Sequence, residues 1–300
     1  MFNSVVNFKT AFSRFISKTI FCKYILYIGI FTVLTSQVFS QNINEIHTVV
    51  IDAGHGGRDP GAVWPGIGNK EKTINLDVAQ KLGKMIKDRF PDINVVYTRT
   101  KDIFVELYQR AEIANKVKAD LFISIHVNST RKTSPNGVEF WVLGLNRADE
   151  NLEVVKKENA SLKFEQNLRK NYGFDPTSPE GAIIMTMKQN QHLNQSIQFA
   201  KLIEGRFVKE DNQLNRGTKQ AGFAVLYKTS MPSVLIEIGF ISNPDERQYI
   251  TKETGQGKIA NNIANAFADY KQKYESGALK KATSLELINQ KIPSISPPSS

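Results

Sequence analysis

Two of the four histidines in this 300-residue chain, His55 and His126, stand where apolar, β-branched runs end. His55 follows Val49-Val50-Ile51 in the stretch Asp52-Ala53-Gly54-His55-Gly56-Gly57. Three glycines around one imidazole predict a tight loop at the C-terminal end of a strand. His126 closes the run LFISIH, a second buried strand whose alternation sets Phe122, Ser124 and His126 on one face. Glu71 opens a helical stripe after a loop rich in proline and glycine. Two imidazoles and one carboxylate make an N,N,O donor set that suits zinc. Three protein ligands leave a fourth position open, the arrangement of a catalytic site. Each residue also has a plainer reading. Strand-end histidines are commonly only hydrogen-bonded, and Glu71 suits a helix N-terminus, where an acid meets the positive end of the dipole. The HExxH helix motif of many zinc enzymes is absent.

Glu237 is the other unusual residue. It lies inside SVLIEIGF, an otherwise apolar strand. Burying a carboxylate costs several kcal/mol unless it is paired or lies near a metal. A catalytic acid or base and a structural partner of Arg99 or Arg110 are both open readings. Asp52 and Glu139 raise the same strand-edge question on weaker grounds. His47 reads as a surface residue and His192 as structural or solvent-exposed.

The elements that must carry these residues follow from periodicity. Strands are expected over 48–52, 93–98, 121–127, 138–143, 223–226 and 233–238. A helix over 71–90 has Ile74, Val78, Leu82 and Ile86 on one stripe, and a second covers 105–118. Residues 180–209 read as mostly helical, with Ile183, Met187, Ile197, Ala200, Ile203 and Phe207 inward; 257–273 closes the domain as a helix. Alternating β-α-β-α-β implies an α/β sheet with helices on both faces, and in such sheets ligands bind outside the carboxyl ends of the strands. A charged and amide-rich segment at about 145–180 interrupts the pattern and reads as an inserted helical segment, in which 151–172 could form one amphipathic helix.

Composition limits the partners. The formal charge is +10, but Lys9, Arg14, Lys18 and Lys23 fall in a first forty residues that hold no acid, which leaves +6 for the rest. That charge is spread without Lys/Arg blocks, so no nucleic-acid interface is expected. The basic lead, the apolar run Tyr24–Thr35 and Val38-Phe39-Ser40 predict a signal peptide over 1–40, cleaved near Ser40. The alternative is an uncleaved anchor, the only membrane contact expected. The single cysteine, Cys22, lies within that lead, so a cleaved chain could hold a metal only through nitrogen and oxygen. The catalytic domain is expected over 45–275. From Ser276 the sequence turns to Lys, Ser and Pro, which predicts a disordered tail over 276–300.

Six ordered motifs, VVIDAGHGGRDPGA, KEKTINLDVA, TRTKD, RAEIAN, LFISIHVNS and PSVLIEIGFISNPDE, together resemble the zinc-dependent N-acetylmuramoyl-L-alanine amidases, exported hydrolases of the bacterial cell wall. The similarity spans about Val49 to Tyr270, interrupted by the insertion. It implies a single catalytic domain with a twisted, mostly parallel sheet and one zinc per chain. It implies His55, Glu71 and His126 as the zinc ligands and Glu237 as the residue that activates a zinc-bound water. The bond implied joins N-acetylmuramic acid to L-alanine in peptidoglycan, and the location implied is the periplasm or cell envelope.

The insertion follows the strand at 138–143, where some relatives carry a helix that blocks the active site. It contains Glu150, Glu153, Glu158 and Glu165. One of these acids could take the open metal position until an activator protein displaces the insertion; the plainer reading is a solvated acidic face. Two rival functions stand beside this reading. A zinc carboxypeptidase on a similar sheet would use the same groups, and a non-catalytic wall-binding regulator would lack a ligand or the base.

Overall fold

A computed structural model describes residues 45–65, 70–145, 149–188, 191–211 and 213–279. The expected signal peptide and most of the expected tail lie outside the described residues. Six strands form one sheet: β1 (Thr48–Ala53), β2 (Asn94–Tyr97), β3 (Leu121–Asn128), β4 (Val138–Leu143), β5 (Asn215–Ala221) and β6 (Ser233–Phe240). Their order is β2-β1-β3-β6-β4-β5, with β4–β6 the one antiparallel pairing. The helices are α1 (Glu71–Arg89), α2 (Leu107–Lys116), α3 (Asp149–Asn159), α4 (Leu168–Tyr172), α5 (Pro179–Met187), α6 (Leu193–Asp211), α7 (Ala224–Tyr227), α8 (Pro244–Thr251) and α9 (Glu253–Glu275). This is the expected α/β architecture.

Strands β1, β3 and β6 are buried at every residue. Covered on both faces, they read as near-continuous apolar runs rather than as alternation. On one face Val49, Ile51, Ile123, Ile125 and Ile236 pack against α1, α6 and α9 through residues such as Leu82, Ile203 and Phe267. On the other, Val50, Phe122, Trp141 and Leu235 meet Leu107, Leu226, Leu162 and Met185. The chain runs from β1 outward to β2, then crosses back over β1 to β3. The sheet order therefore reverses between β1 and β3, and a crevice opens at their carboxyl ends. His55 and His126 both belong to that edge.

Three expectations are corrected. Phe223 to Leu226 is not a strand: Phe223 caps the short helix α7, and the edge strand is the polar segment NRGTKQA, β5. A short apolar run cannot be told from a buried helical turn by periodicity, and an edge strand needs no apolar face. Ile183 and Met187 point outward, at 57% and 67% exposure, because residues 180–209 break into α5 and α6, and α5 buries Met185 and Gly181 instead of the predicted stripe. The expected helix 151–172 breaks into α3, a 3₁₀ turn (Ala160–Phe164) and α4, with Asn167 and Gly173 in left-handed backbone flanking α4. Leu279 is partly buried against the core.

The insertion is part of the second face of the core. Leu162, Tyr172 and Met185 are buried there. Glu165 anchors it to the body: the Leu107 N–H at the start of α2 donates to its carboxylate, and the Tyr172 hydroxyl donates to Oε2 at 3.2 Å. Burial pushes Glu165 up to about 7, with nearby Glu106 adding to the rise, while the Leu107 and Tyr172 bonds and Arg110 oppose it. A released insertion would return the carboxyl to its ordinary value near 4.5. The docked state therefore holds the proton more tightly. Its contribution is complete below that ordinary value and is lost as pH rises through about 7. Hydrogen exchange over residues 160–172, corrected for intrinsic rates, should show opening growing easier from about pH 5 to about pH 8, and Glu165→Gln should flatten the trend. A variant with the full wild-type trend would contradict this assignment.

Candidate metal centre

Strand β1 delivers His55 in left-handed backbone, φ 60°. For a non-glycine residue that conformation costs about 1–3 kcal/mol and persists only where surrounding contacts enforce it. Here Gly56 and Asp59 exchange backbone hydrogen bonds of 2.9 and 3.1 Å, and Arg110 donates to the His55 carbonyl at 2.8 Å. The Asp59 carboxylate lies 2.8 Å from His55 Nδ1, which turns Nε2 inward. Gly54 is required beside it, since a Cβ there would lie 2.4 Å from the His126 ring.

Glu71 is the first residue of α1 and is fully buried, so it is not a solvated dipole acid. Its Oε2 accepts from Ala62 N–H at 2.7 Å and its Oε1 from Val127 N–H at 3.0 Å. Gly61 leaves it room: a Cβ at that position would sit 2.7 Å from Oε2. His126 comes from β3, in register with Glu237 of β6, and Glu237 is opposite Glu139 of β4.

The structure brings His55, Glu71 and His126 together and adds Glu158 from α3. One ligand atom from each of the four lies within 4.8 Å of the others. His55 Nε2 is 3.1 Å from both Glu71 Oε1 and Glu158 Oε2. His126 Nδ1 is 3.3 Å from Glu71 Oε1 and 2.7 Å from Glu158 Oε2. These contacts lack hydrogen-bond geometry: His55 Nε2, His126 Nδ1 and both Glu158 oxygens are buried without a hydrogen-bond partner. Four ligands about 2.0–2.1 Å from a tetrahedral ion would stand roughly 3.3 Å apart. The donor set and its spacing fit a metal ion.

Charge confirms how closely these groups are coupled. Burial works against protonation of His55, but Glu71, Asp59 and Glu158 outweigh it and hold its pKa well above the ordinary value. His126, opposed by burial and favoured chiefly by Glu158, is pushed up to about 9. Burial would raise Glu71 and Glu158, yet the neighbouring cations hold both carboxylates low.

Glu237 is fully buried beside this cluster, and neither carboxylate oxygen has a hydrogen-bond partner. The arginines weighed as its partners are engaged elsewhere. Arg110 pairs with Asp52 at 2.8 Å, and Arg99 donates to the carbonyls of Ala53 and Gly54. Burial, then the charge of Glu158, lifts the Glu237 carboxyl well above the usual range, against the pull of Lys157 and His126. Lys157 Nζ lies 3.5 Å from Glu158 and 3.7 Å from Glu71, and donates to the Val127 carbonyl.

The remaining sequence candidates separate cleanly. Asp52 is structural, binding Thr98, Ser124 and Arg110. Glu139 is neutralised by Arg216 and Lys219. His47 is exposed and His192 half-buried, both away from the cluster. Of the insertion's acids, Glu153 is exposed, Glu165 anchors α2, and the side chain of Glu150 lies outside those described. Sequence reasoning did not find Asp59, Lys157 or Ser161. Asp59 follows His55 by four residues in a loop, where spacing carries no directional meaning; the other two depend on how the insertion lands.

The match to a family model described as N-acetylmuramoyl-L-alanine amidase covers residues 49–269. Among curated relatives, AmiA of Escherichia coli, an N-acetylmuramoyl-L-alanine amidase, is 31% identical over 222 residues, which is 74% of this chain and 75% of AmiA. AmiC of Neisseria meningitidis, also an N-acetylmuramoyl-L-alanine amidase, is 31% identical over 229 residues, and the chain spans 52% of its length. Of solved structures, the N-acetylmuramoyl-L-alanine amidase of Clostridium difficile 630 superposes with a TM-score of 0.57 at 28% identity, covering 75% of this chain and 97% of that one. The CwlD amidase of Clostridioides difficile, solved in complex with the GerS lipoprotein, gives 0.54 at 26% identity, covering 75% and 98%. A motif set spread over six segments, a shared sheet and a matching domain span agree, and the chain belongs to the N-acetylmuramoyl-L-alanine amidase family.

Proposed function

We propose that this protein is an exported zinc hydrolase that cleaves the amide bond between N-acetylmuramic acid and L-alanine in peptidoglycan. The observation that carries the reading is the set of buried, inward-facing donors on His55, His126 and Glu158 that lack hydrogen-bond partners and converge with Glu71. His55, Glu71 and His126 would hold one zinc ion, which would supply Lewis acidity for the scissile carbonyl and for water at near-neutral pH. Glu237, set next to His126 by strand register, takes the proton of the attacking water and delivers it to the departing alanine nitrogen. Export rests on the basic lead and the apolar run Tyr24–Thr35. Among the described residues no helix is long and apolar enough to cross a membrane.

The conformation described is the resting one. Glu158 stands as a fourth donor where substrate oxygen must enter, and Lys157 fills the space between Glu71 and Glu158. Withdrawal of α3 removes a carboxylate from the neighbourhood of Glu237 and admits water. Both changes lower the Glu237 pKa toward that of a working general base. An activator protein that draws the insertion away fits this arrangement. The exposed side chains of Ile183, Ile184 and Met187 on α5, which directly follows the insertion, offer it an apolar handle. A relative solved in complex with a lipoprotein supports a protein partner.

Two substitutions test the reading. Glu237→Ala should keep one zinc per chain by metal analysis while digestion of purified peptidoglycan falls by roughly 10²–10⁴-fold, the usual scale of general acid–base catalysis. Full activity in that variant would remove Glu237 from the mechanism. Glu158→Ala should raise wall digestion in the absence of any activator, tenfold for each ~1.4 kcal/mol by which Glu158 favours the closed state. This change leaves Leu162 and Tyr172 in the core, so a folded variant with unchanged or lower activity would contradict the blocking role.

A further inference from the structure

Asp59 is absent from the ring of inward donors, yet it is buried directly behind it, at 5% exposure. Its Oδ2 is 2.8 Å from His55 Nδ1 and its Oδ1 accepts from Gly61 N–H at 3.2 Å. Its backbone is tied to Gly56 in both directions. The carboxylate is thus fixed at both ends, with one oxygen directed at one imidazole nitrogen. An imidazole has two distinct nitrogens, and the hydrogen bond made by one decides which of them presents a lone pair. With Nδ1–H directed at Asp59, Nε2 faces Glu71 and Glu158. A ring turned by half a rotation would offer carbon there instead.

His126 is held differently. It presents Nδ1, and its far edge lies against Gly54, where the missing Cβ leaves space for the ring. The two imidazoles are therefore oriented by different means, one by a charge and the other by packing.

We propose that Asp59 is the positioning residue for His55: its carboxylate fixes the ring and its tautomer so that Nε2 is offered to the metal. This rests on the metal reading given above. A different role for Asp59 has to be separated from it. Its Oδ2 also accepts from the Ser161 hydroxyl of the insertion at 2.5 Å, so Asp59 could serve only as a docking post.

The test measures zinc binding to the full chain by competition with a chromogenic chelator, together with the ring ¹⁵N shifts of His55 in the zinc-loaded protein. Wild type should bind one zinc and show a protonated Nδ1 with a liganded Nε2. Asp59→Ala should weaken zinc by roughly 10–100-fold, the usual effect of removing a partner behind a metal ligand, and should broaden or shift that ¹⁵N pattern. Asp59→Asn, whose amide oxygen can still accept from Nδ1, should recover part of the loss. Ser161→Ala should leave zinc affinity near wild type. Wild-type affinity and an unchanged ¹⁵N pattern in Asp59→Ala would overturn the proposal. So would a loss in Ser161→Ala equal to that in Asp59→Ala, which makes Asp59 a docking post. If Asp59→Ala does not fold, Asp59→Asn decides alone, with weaker zinc supporting the proposal and equal zinc overturning it. A wild-type chain that binds no zinc overturns the metal reading as well, and shows this before any variant is compared.

Discussion

Buried ionisable groups of mixed sign must be packed so that each is satisfied from behind and left open in front. This constraint governs the carboxyl edge of the sheet. Removing one charge from water costs several kcal/mol even after relaxation, and two imidazoles with two carboxylates multiply that cost. The chain offsets it with a frame of backbone and guanidinium contacts. Glu71 takes two backbone N–H groups from separate segments, Ala62 and Val127. Arg110 spans Val105, Asp52, Ala53 and His55, while Arg99 holds Ala53, Gly54 and Lys72. Two guanidiniums so placed repel each other, and burial together with Arg110 brings Arg99 down to about 10. What remains uncommitted points to one spot.

The insertion is bound to this edge by two kinds of force. Glu158, Lys157 and Ser161 make polar contacts that depend on the site. Leu162, Tyr172 and Met185 are buried among Trp141, Phe223 and Leu226, and that contact is indifferent to any metal. Full burial of such a side chain contributes about 1.5–3 kcal/mol. On the proposed reading, a metal alone would therefore not open the site. Shifting a closed-to-open ratio from 99:1 to 1:99 would take about 5.5 kcal/mol of differential binding, which is the scale of a protein partner. The exposed apolar side chains of α5 directly follow the insertion, so on the proposed reading a partner gripping them would pull on the element that has to move.

Much of the fold was legible because its central strands are buried on both faces. VVID, LFISIH and SVLIEIGF cannot be surface segments, and the four-residue stripe of α1 admits one orientation. The errors fell at the sheet edge and in short apolar stretches. NRGTKQA joins the sheet edge through backbone bonds to β4, which a polar sequence can make as well as an apolar one. FAVL was apolar enough for a strand but too short to show a period, and it became part of a helical turn. Ile183 and Met187 read as core because they are apolar, although their helix is separated from α6 and faces solvent.

The sequence by itself determined the donor types and the strand ends that carry them, because composition and periodicity record what each segment must bury, and its ordered motifs carried the family resemblance. Only the tertiary structure decided which nitrogen of each histidine faces inward, that Asp59 stands behind one ring and Gly54 behind the other, and that Glu158 rather than Glu153 or Glu165 enters the cluster. Those outcomes depend on distances between segments far apart in the chain. Such distances are fixed by strand register and by how the insertion packs, and neither leaves a local trace in the order of residues.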